Sequence, residues 1–123
     1  MKKNKYRRGE YNARLSQELE SGRLSYELKR LFWLLAQDVS TQKRYSYFRE
    51  EIREVIALRG YESCVQFWQK YNPDKWDRER DIGSPYAYFS IVVRSAAAQV
   101  TRNIANGEEI VDNVERILGA EPS

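Results

Sequence analysis

Apolar side chains recur at three- and four-residue steps along most of the chain, and this spacing constrains the fold more than any other sequence feature. Such steps place side chains on one face of an α-helix. The first of these stripes consists of Leu24, Leu28, Leu31, Phe32 and Leu35. It predicts a helix over about residues 25–38 with Ser25 as its N-cap. No stretch alternates in the manner of a strand, so we expect an all-α fold, a small bundle of four to five helices.

A second apolar stripe runs from Phe48 to Trp68, with Gly60 in the middle of it. This glycine has two interpretations. It can end one short helix and separate it from the next, because glycine is favoured just beyond a helix C-terminus. It can equally lie inside one long helix, where glycine costs about 1 kcal/mol relative to alanine. The residues alone leave both interpretations open.

A third helix is predicted to begin at Ser84-Pro85, since serine caps helices and proline suits the first helical position. Before it come a turn around Pro73 and a charged loop over residues 77–83. We expect the helix to reach about residue 106, with Gly107 ending it. Its predicted packing stripe is Phe89, Val92, Ala96, Val100 and Ile104. A weaker helix is expected over residues 109–118.

Charge divides the chain into a middle domain and two tails. Residues 1–14 carry six basic side chains and one acid, and residues 104–123 carry five acids and one base. Such tails are usually solvated. We therefore predict a flexible basic arm over residues 1–20, a helical domain over 21–106, and an acidic C-terminal helix or tail over 107–123. The arm can contact phosphate or serve only solubility.

Composition argues against an enzyme. The chain has no histidine and a single cysteine, which excludes Ser-His-Asp and Cys-His nucleophiles and His-ligated zinc. Its longest apolar stretch, from Leu31 to Ala36, is far shorter than the roughly 20 residues of a membrane helix. We expect a cytoplasmic protein without cofactor, metal or membrane partner. Neighbouring acids such as Glu50 and Glu51 point about 100° apart on a helix and fit a solvated face.

The unusual feature is a crowd of aromatic residues at the start of the third helix. Tyr86, Tyr88 and Phe89 occupy its first turns, and Trp76 lies just upstream. The nearby cations are Arg78, Arg80, Arg94 and Arg102. Rings beside cations suit unstacked bases, which need flat faces for stacking and positive charge for phosphate. The alternative is that these rings form the core of a small bundle.

The order of these features resembles region two of the bacterial sigma-70 family, and most of all the short late-transcription sigma factors of T-even-type phages. The resemblance covers about residues 48–104. The segments that carry it are FREEIREV from Phe48, GYESCV from Gly60, KYNPDKW from Lys70 and SPYAYFSI from Ser84. In that family an acidic helix ends in an aromatic and proline-containing turn, and a variable loop leads to a Pro-x-Ala-Tyr helix.

The resemblance implies a function in promoter recognition. The helix after Phe48 would be continuous through Gly60 and would dock on the clamp helices of the β′ subunit of RNA polymerase. The matching polar contacts are Glu51, Glu54, Arg59, Glu62 and Gln66. The next helix would recognise and melt the promoter −10 element. Tyr86, Tyr88, Phe89 and Ser90 match its base-contacting positions, and Arg94 and Arg102 would lie toward duplex phosphate.

The chain departs from the family at several positions. Primary sigma factors carry tryptophans where this chain has Phe89 and Ser90, and an acidic docking position corresponds approximately to Arg59. Nothing after residue 106 resembles a reader of the −35 element. The phage proteins compensate by binding a DNA sliding clamp. The segment that begins at Ile110 and ends at Leu118 is a candidate for that contact, or it packs on the bundle.

Two further hypotheses come from other functional classes. One is an adaptor that binds polymerase or another protein without touching DNA, which the small net charge of +3 allows. The other is a nuclease or hydrolase built on scattered carboxylates, which would require a divalent metal.

Overall fold

The structure is a computed structural model, and it describes residues 8–105. These residues form four α-helices: α1 (Arg8–Glu20), α2 (Tyr26–Ser40), α3 (Glu50–Phe67) and α4 (Pro85–Ala105). Short 3₁₀ turns stand at Lys43–Tyr45, Trp68–Lys70 and Pro73–Lys75. Within the described range the only β-type pairing is an isolated bridge between Asp77 and Ile82. The predicted all-α bundle is confirmed.

Helix α1 corrects the predicted flexible arm. From Arg8 onward the supposed arm is a helix whose Tyr11 and Leu15 are completely buried. The Tyr11 hydroxyl donates a hydrogen bond to the carbonyl oxygen of Leu31 in α2. Burial of two large side chains favours an ordered, packed helix over a solvated tail. Tyr11, Leu15 and Leu19 are four residues apart, and this helical spacing was missed because the surrounding charge dominates the segment.

Helix α2 follows the sequence prediction closely. The Ser25 hydroxyl accepts a hydrogen bond from the Leu28 N–H, so the predicted N-cap is confirmed. The side chains of the predicted stripe that lie inside the helix are all fully buried: Leu28, Leu31, Phe32 and Leu35. Leu24, just before the cap, is partly buried against the same core. The helix supplies the centre of the bundle.

Helix α3 is continuous through Gly60, which settles the choice that the residues left open. The glycine is buried where α3 crosses α4. A Cβ atom at this position would lie 2.5 Å from the Val93 Cγ1 atom, so the two helices approach more closely than any other residue type permits. Further along, the Cys64 Sγ atom lies 4.0 Å from the Phe89 carbonyl oxygen. Residue numbers rise on one helix as they fall on the other, so the pair is antiparallel.

Helix α4 begins as predicted but buries a different stripe. Pro85 is its first residue, and the Ser84 hydroxyl accepts a hydrogen bond from the Ala87 N–H at 3.1 Å. The fully buried line runs through Phe89, Val93 and Ala97. Val92 and Ala96 of the predicted stripe are only half-buried. The close approach at Gly60 places the face of α4 that carries Val93 in the core, and Val92 and Ala96 lie at the edge of the core.

Several sequence predictions fall on residues outside the described range. They include the termination of α4 at Gly107 and the acidic segment from Ile110 to Leu118. Within residues 8–105, no helix is both long enough and apolar enough to cross a membrane.

The Gly60→Ala variant tests the close approach of α3 and α4. We expect a loss of about 1–3 kcal/mol in the free energy of unfolding, because the added methyl group overpacks the crossing. This loss outweighs the better helix propensity of alanine. Urea denaturation followed by circular dichroism measures the change. Gly9→Ala is the matched control, since no atom lies within 4 Å of a Cβ placed there. A Gly60→Ala protein as stable as the wild type would contradict the described crossing.

Candidate functional site

The aromatic residues at the start of α4 divide into core and surface. Phe89 is fully buried and its ring centre lies 4.8 Å from that of Phe32 in α2. Ser90 is 2% exposed. The prediction that Phe89 and Ser90 contact bases is therefore wrong in this structure, because the stripe that buries Val93 also buries them. Tyr86 and Tyr88 remain half-buried, with part of each side chain open to solvent.

Tyr86 is held by the first turns of α1. Its backbone N–H donates a hydrogen bond of 2.8 Å to the Asn12 Oδ1 atom. The Tyr11 ring meets the Tyr86 ring edge-on, with 5.6 Å between their centres. The Arg8 guanidinium lies over the Tyr86 ring, 5.1 Å from its centre, and 3.9 Å from the Asp81 carboxylate. Three residues of α1 thus fix the position of Tyr86.

Tyr88 belongs to a second group of rings, on the other side of the helix start. Its ring centre lies 5.2 Å from that of Tyr71 and 5.0 Å from that of Phe89. The Tyr71 hydroxyl donates to the Gly83 carbonyl oxygen at 2.9 Å. Burial raises the pKa of Tyr71 above its usual value, while the positive charge of Arg78 opposes that rise. The hydroxyl therefore stays protonated at neutral pH, as this hydrogen bond requires.

The loop between α3 and α4 is tightly built and presents Trp76 and Arg78. Asp77 and Ile82 exchange both backbone hydrogen bonds, at 2.8 and 3.1 Å. Gly83 has φ of +78°, and a Cβ there would lie 2.6 Å from the Lys75 carbonyl oxygen, so only glycine fits. The Arg78 guanidinium lies 4.1 Å from the centre of the Trp76 ring. This is a cation–π contact on a half-buried indole.

The N-terminus of α4 has no spare amide for a phosphate. Pro85 carries no N–H, and the next three amides are all occupied. Tyr86 donates to Asn12, Ala87 donates to the Ser84 hydroxyl, and Tyr88 donates to the Ser84 carbonyl oxygen. A helix start normally offers several free donors. An anion at this end of the bundle would therefore depend on side chains, such as those of the arginines.

The predicted arginines do not form one group. Arg78 and Arg80 are exposed on the loop, and Arg80 lies 3.8 Å from the Asp77 carboxylate. Arg94 is half-buried on α4. Arg102 is exposed and donates to the Gln99 side chain at 3.4 Å. At 1.5 Å per residue Arg102 lies about 24 Å along the helix from Tyr86, so the structure does not bring it to the aromatic cluster.

The five predicted docking residues lie on one side of α3, here called its outward face, which is interrupted by the buried Val55. Four of them are exposed, namely Glu51, Arg59, Glu62 and Gln66, and Glu54 is half-buried. At 100° per residue the five fall within an arc of about 140°. Arg59 and Glu62 form an exposed ion pair at 3.9 Å. Such pairs contribute at most about 1 kcal/mol, so a partner can rearrange this one at little cost.

Cys64 lies in the core, as its position on an apolar stripe predicts. It is completely buried, and burial raises the pKa of its thiol to about 12. Almost none of it is thiolate at neutral pH, so it is a poor nucleophile. Residues 8–105 contain no group of three or more His, Cys, Asp or Glu side chains that could hold a metal ion.

The structure adds residues to the site that the sequence analysis missed. Arg8 and Asn12 come from the segment predicted to be flexible. Trp68 lines a cavity that also contains Trp76. The four-residue spacing of Tyr11, Leu15 and Leu19 was a signal for α1, but nothing in the sequence connects Asn12 with Tyr86, 74 residues away.

Comparisons with protein-family models, curated proteins and solved structures give no match for this chain.

The contact between Asn12 and Tyr86 predicts a pair of contrasting variants. Asn12→Leu removes the acceptor and leaves a half-buried N–H unpaired, so we expect a loss of about 1–3 kcal/mol in the free energy of unfolding. Asn12→Asp keeps an acceptor oxygen and adds a negative charge at a helix start, which is favourable. We expect it to remain within about 1 kcal/mol of the wild type. Urea denaturation measures both, and equal losses in the two variants would show that the hydrogen bond is not what ties α1 to α4.

Proposed function

We propose that this protein is a minimal sigma factor of the phage late type, which binds core RNA polymerase and recognises and melts the promoter −10 region. The observation that carries the proposal is the aromatic end of the bundle, where Tyr86, Tyr88 and Trp76 stay partly open and arginines lie over Tyr86 and Trp76. Its resemblance to sigma region two, over about residues 48–104, gives this end its role. The protein would act by binding, without catalysis or cofactor, in the cytoplasm of a bacterial host.

Base capture would use the partly open rings. Each base that leaves the duplex costs a few kcal/mol of stacking and pairing energy. Stacking on an aromatic side chain returns about 1–3 kcal/mol per base. Tyr86 and Tyr88 would receive bases of the non-template strand, and Arg78 and Arg80 would neutralise nearby phosphates. Phe89 and Ser90 would contribute indirectly, because their packing in the core would hold the two tyrosines in place.

Docking on polymerase would use the outward face of α3. Glu51, Glu62 and Gln66 lie on this face, about 60° apart or less around the helix axis. The face is separate from the aromatic rings of α4, since α3 packs against α4 through Gly60 and Cys64 on its opposite side. Polymerase and promoter could then be bound at the same time. The expected partner is the pair of clamp helices of the β′ subunit.

The small net charge supports a model in which polymerase and this protein make different contacts with the promoter. A formal charge of +3 is low for a protein that must hold DNA alone. Polymerase would supply most of the phosphate contacts, and this chain would supply base recognition. Attachment to a DNA sliding clamp through the segment from Ile110 to Leu118 belongs to the same proposal.

A second candidate function is a protein-binding adaptor that does not touch DNA. It is favoured by an aromatic groove between α2 and α3. Tyr26 is 82% exposed there, and the partly exposed Trp33 meets the Tyr61 ring edge-on at 5.6 Å. Large exposed rings on one surface are typical of protein interfaces.

Two variants on different surfaces separate these functions. Glu62→Arg is expected to weaken co-elution with core polymerase on a sizing column, because it reverses a charge on the docking face. Tyr88→Ala is expected to co-elute normally but to reduce promoter-specific run-off transcription and strand opening at least five-fold, through the loss of one stacking surface. Permanganate reactivity of promoter thymines reports the opening. Tyr47→Ala is the control, since this ring is 78% exposed and precedes α3, at the end of the antiparallel α3–α4 pair opposite to Tyr88.

The possible results divide clearly. A wild-type protein that forms no complex with core polymerase contradicts the sigma proposal. A wild-type protein that binds core polymerase, but gives neither specific transcripts nor reactive thymines, favours the adaptor.

A further inference from the structure

A cleft runs between α1 and the loop over residues 71–83. It consists of two adjoining cavities of about 550 and 300 Å³. They share four lining residues: Ser16, Glu20, Trp76 and Arg78. Small-molecule sites commonly have volumes of 300–1,000 Å³. We refer to these two cavities together as the α1 cleft.

The chemistry of the α1 cleft is aromatic on one side and polar on the other. The smaller cavity is lined by Trp68, Tyr71 and Trp76. Helix α1 contributes polar side chains that can donate or accept hydrogen bonds, among them Asn12, Ser16 and Gln17. Flat faces opposite a polar wall suit a planar heterocycle that stacks on a ring and presents hydrogen-bonding edges.

Two arginines at this cleft already lie over aromatic rings. Arg78 lies on Trp76 and Arg8 lies on Tyr86, and both arginines line the larger cavity. Both are exposed, so each can exchange its ring contact for a phosphate. A base could then take the vacated face of Trp76, which lines the cleft, while the guanidinium binds the adjoining phosphate.

Trp76 supplies an independent indication. Its indole Nε1–H is buried and has no hydrogen-bond partner among the described residues. Buried polar groups in folded proteins nearly always have a partner. Because this N–H lies in the ring plane, an acceptor on a ligand would reach it from the edge of the indole, while a base would stack on the face that Arg78 covers.

We propose that the α1 cleft binds one unpaired nucleobase of single-stranded DNA, with Trp76 as the stacking surface and Arg8 and Arg78 as the phosphate contacts. This inference rests on the proposed function for its ligand, and adds α1 as one wall of the site. The first helix thus contributes to strand capture as well as to the core. Tyr71 lines the cleft and also contacts Tyr88, so the cleft adjoins the ring group that contains Tyr88.

A filling substitution tests the cleft without removing any of its rings. Ser16→Phe places a ring on α1 at the junction of the two cavities. The probe is a single-stranded oligodeoxynucleotide with one 2-aminopurine, titrated with the full chain. We expect the wild type to quench the fluorescence and Ser16→Phe to raise the dissociation constant at least five-fold. Glu10→Phe is the matched control, because Glu10 is exposed on the same helix and does not line the cleft.

A second pair of variants examines the stacking surface. Trp76→Phe retains a ring and is expected to bind more tightly than Trp76→Ala. Circular dichroism checks that each variant is folded. Folded Ser16→Phe protein that binds like the wild type would overturn the proposal, and so would a wild type that does not quench the probe.

The outcome is separable from that of the sigma proposal. Suppose that the wild type co-elutes with core polymerase and supports specific transcription but does not bind the oligonucleotide. This result would overturn the proposal for the cleft and leave the sigma proposal standing. A wild type that quenches the probe through the cleft but forms no complex with polymerase supports the cleft and contradicts the sigma proposal.

Discussion

The hydrogen bond from the Tyr86 N–H to Asn12 ties the first helix of the bundle to the start of the last, and the candidate site depends on this link. Tyr11 and Leu15 bury α1 against α2, and Asn12 then takes the one amide of α4 that Ser84 leaves unpaired. As a result, the amides in the first turn of α4 all have hydrogen-bond partners, and aromatic rings surround this turn. Without α1, Tyr86 would lose its backbone partner and the Trp76 loop would lose its opposite wall.

The crossing of α3 and α4 at Gly60 governs the rest of the arrangement. Because Gly60 has no side chain, Val93 can occupy the space that a side chain there would need, and the two helices lie close together. That proximity buries Phe89 and turns Tyr88 toward the edge. It also directs Glu62 and Gln66 outward, on the side of α3 away from α4. Because the helical period places Glu62 and Gln66 opposite Gly60, the face proposed for polymerase lies away from the end proposed for DNA.

The sequence predicts the helices better than it predicts the site. Caps at Ser25 and Ser84 and the stripe through Leu28 and Leu35 depend on local spacing, and all are found. The continuity of α3 came from the family resemblance, because local rules left Gly60 undecided. Helix α1 was missed because its charge suggested a tail.

The assignment of buried and exposed rings could not be made from spacing alone. Phe89 and Tyr88 are neighbours in sequence, and only the helix crossing decides which of them enters the core. The contacts of Arg8, Asn12 and Asp81 join segments about 70 residues apart, so no local sequence pattern predicts them. The match of the docking residues to one face of α3 follows from helical period, whereas their partner stays a proposal.

Site-specific photo-cross-linking tests the central claim most directly. A photoreactive amino acid would replace Glu62 on the outward face of α3 or Tyr88 at the aromatic end, in a complex with core polymerase and promoter DNA. We predict that position 62 cross-links to the large β′ subunit and that position 88 cross-links to the non-template strand near the −10 element. Cross-links from position 88 to protein alone, with none to DNA, would contradict the account.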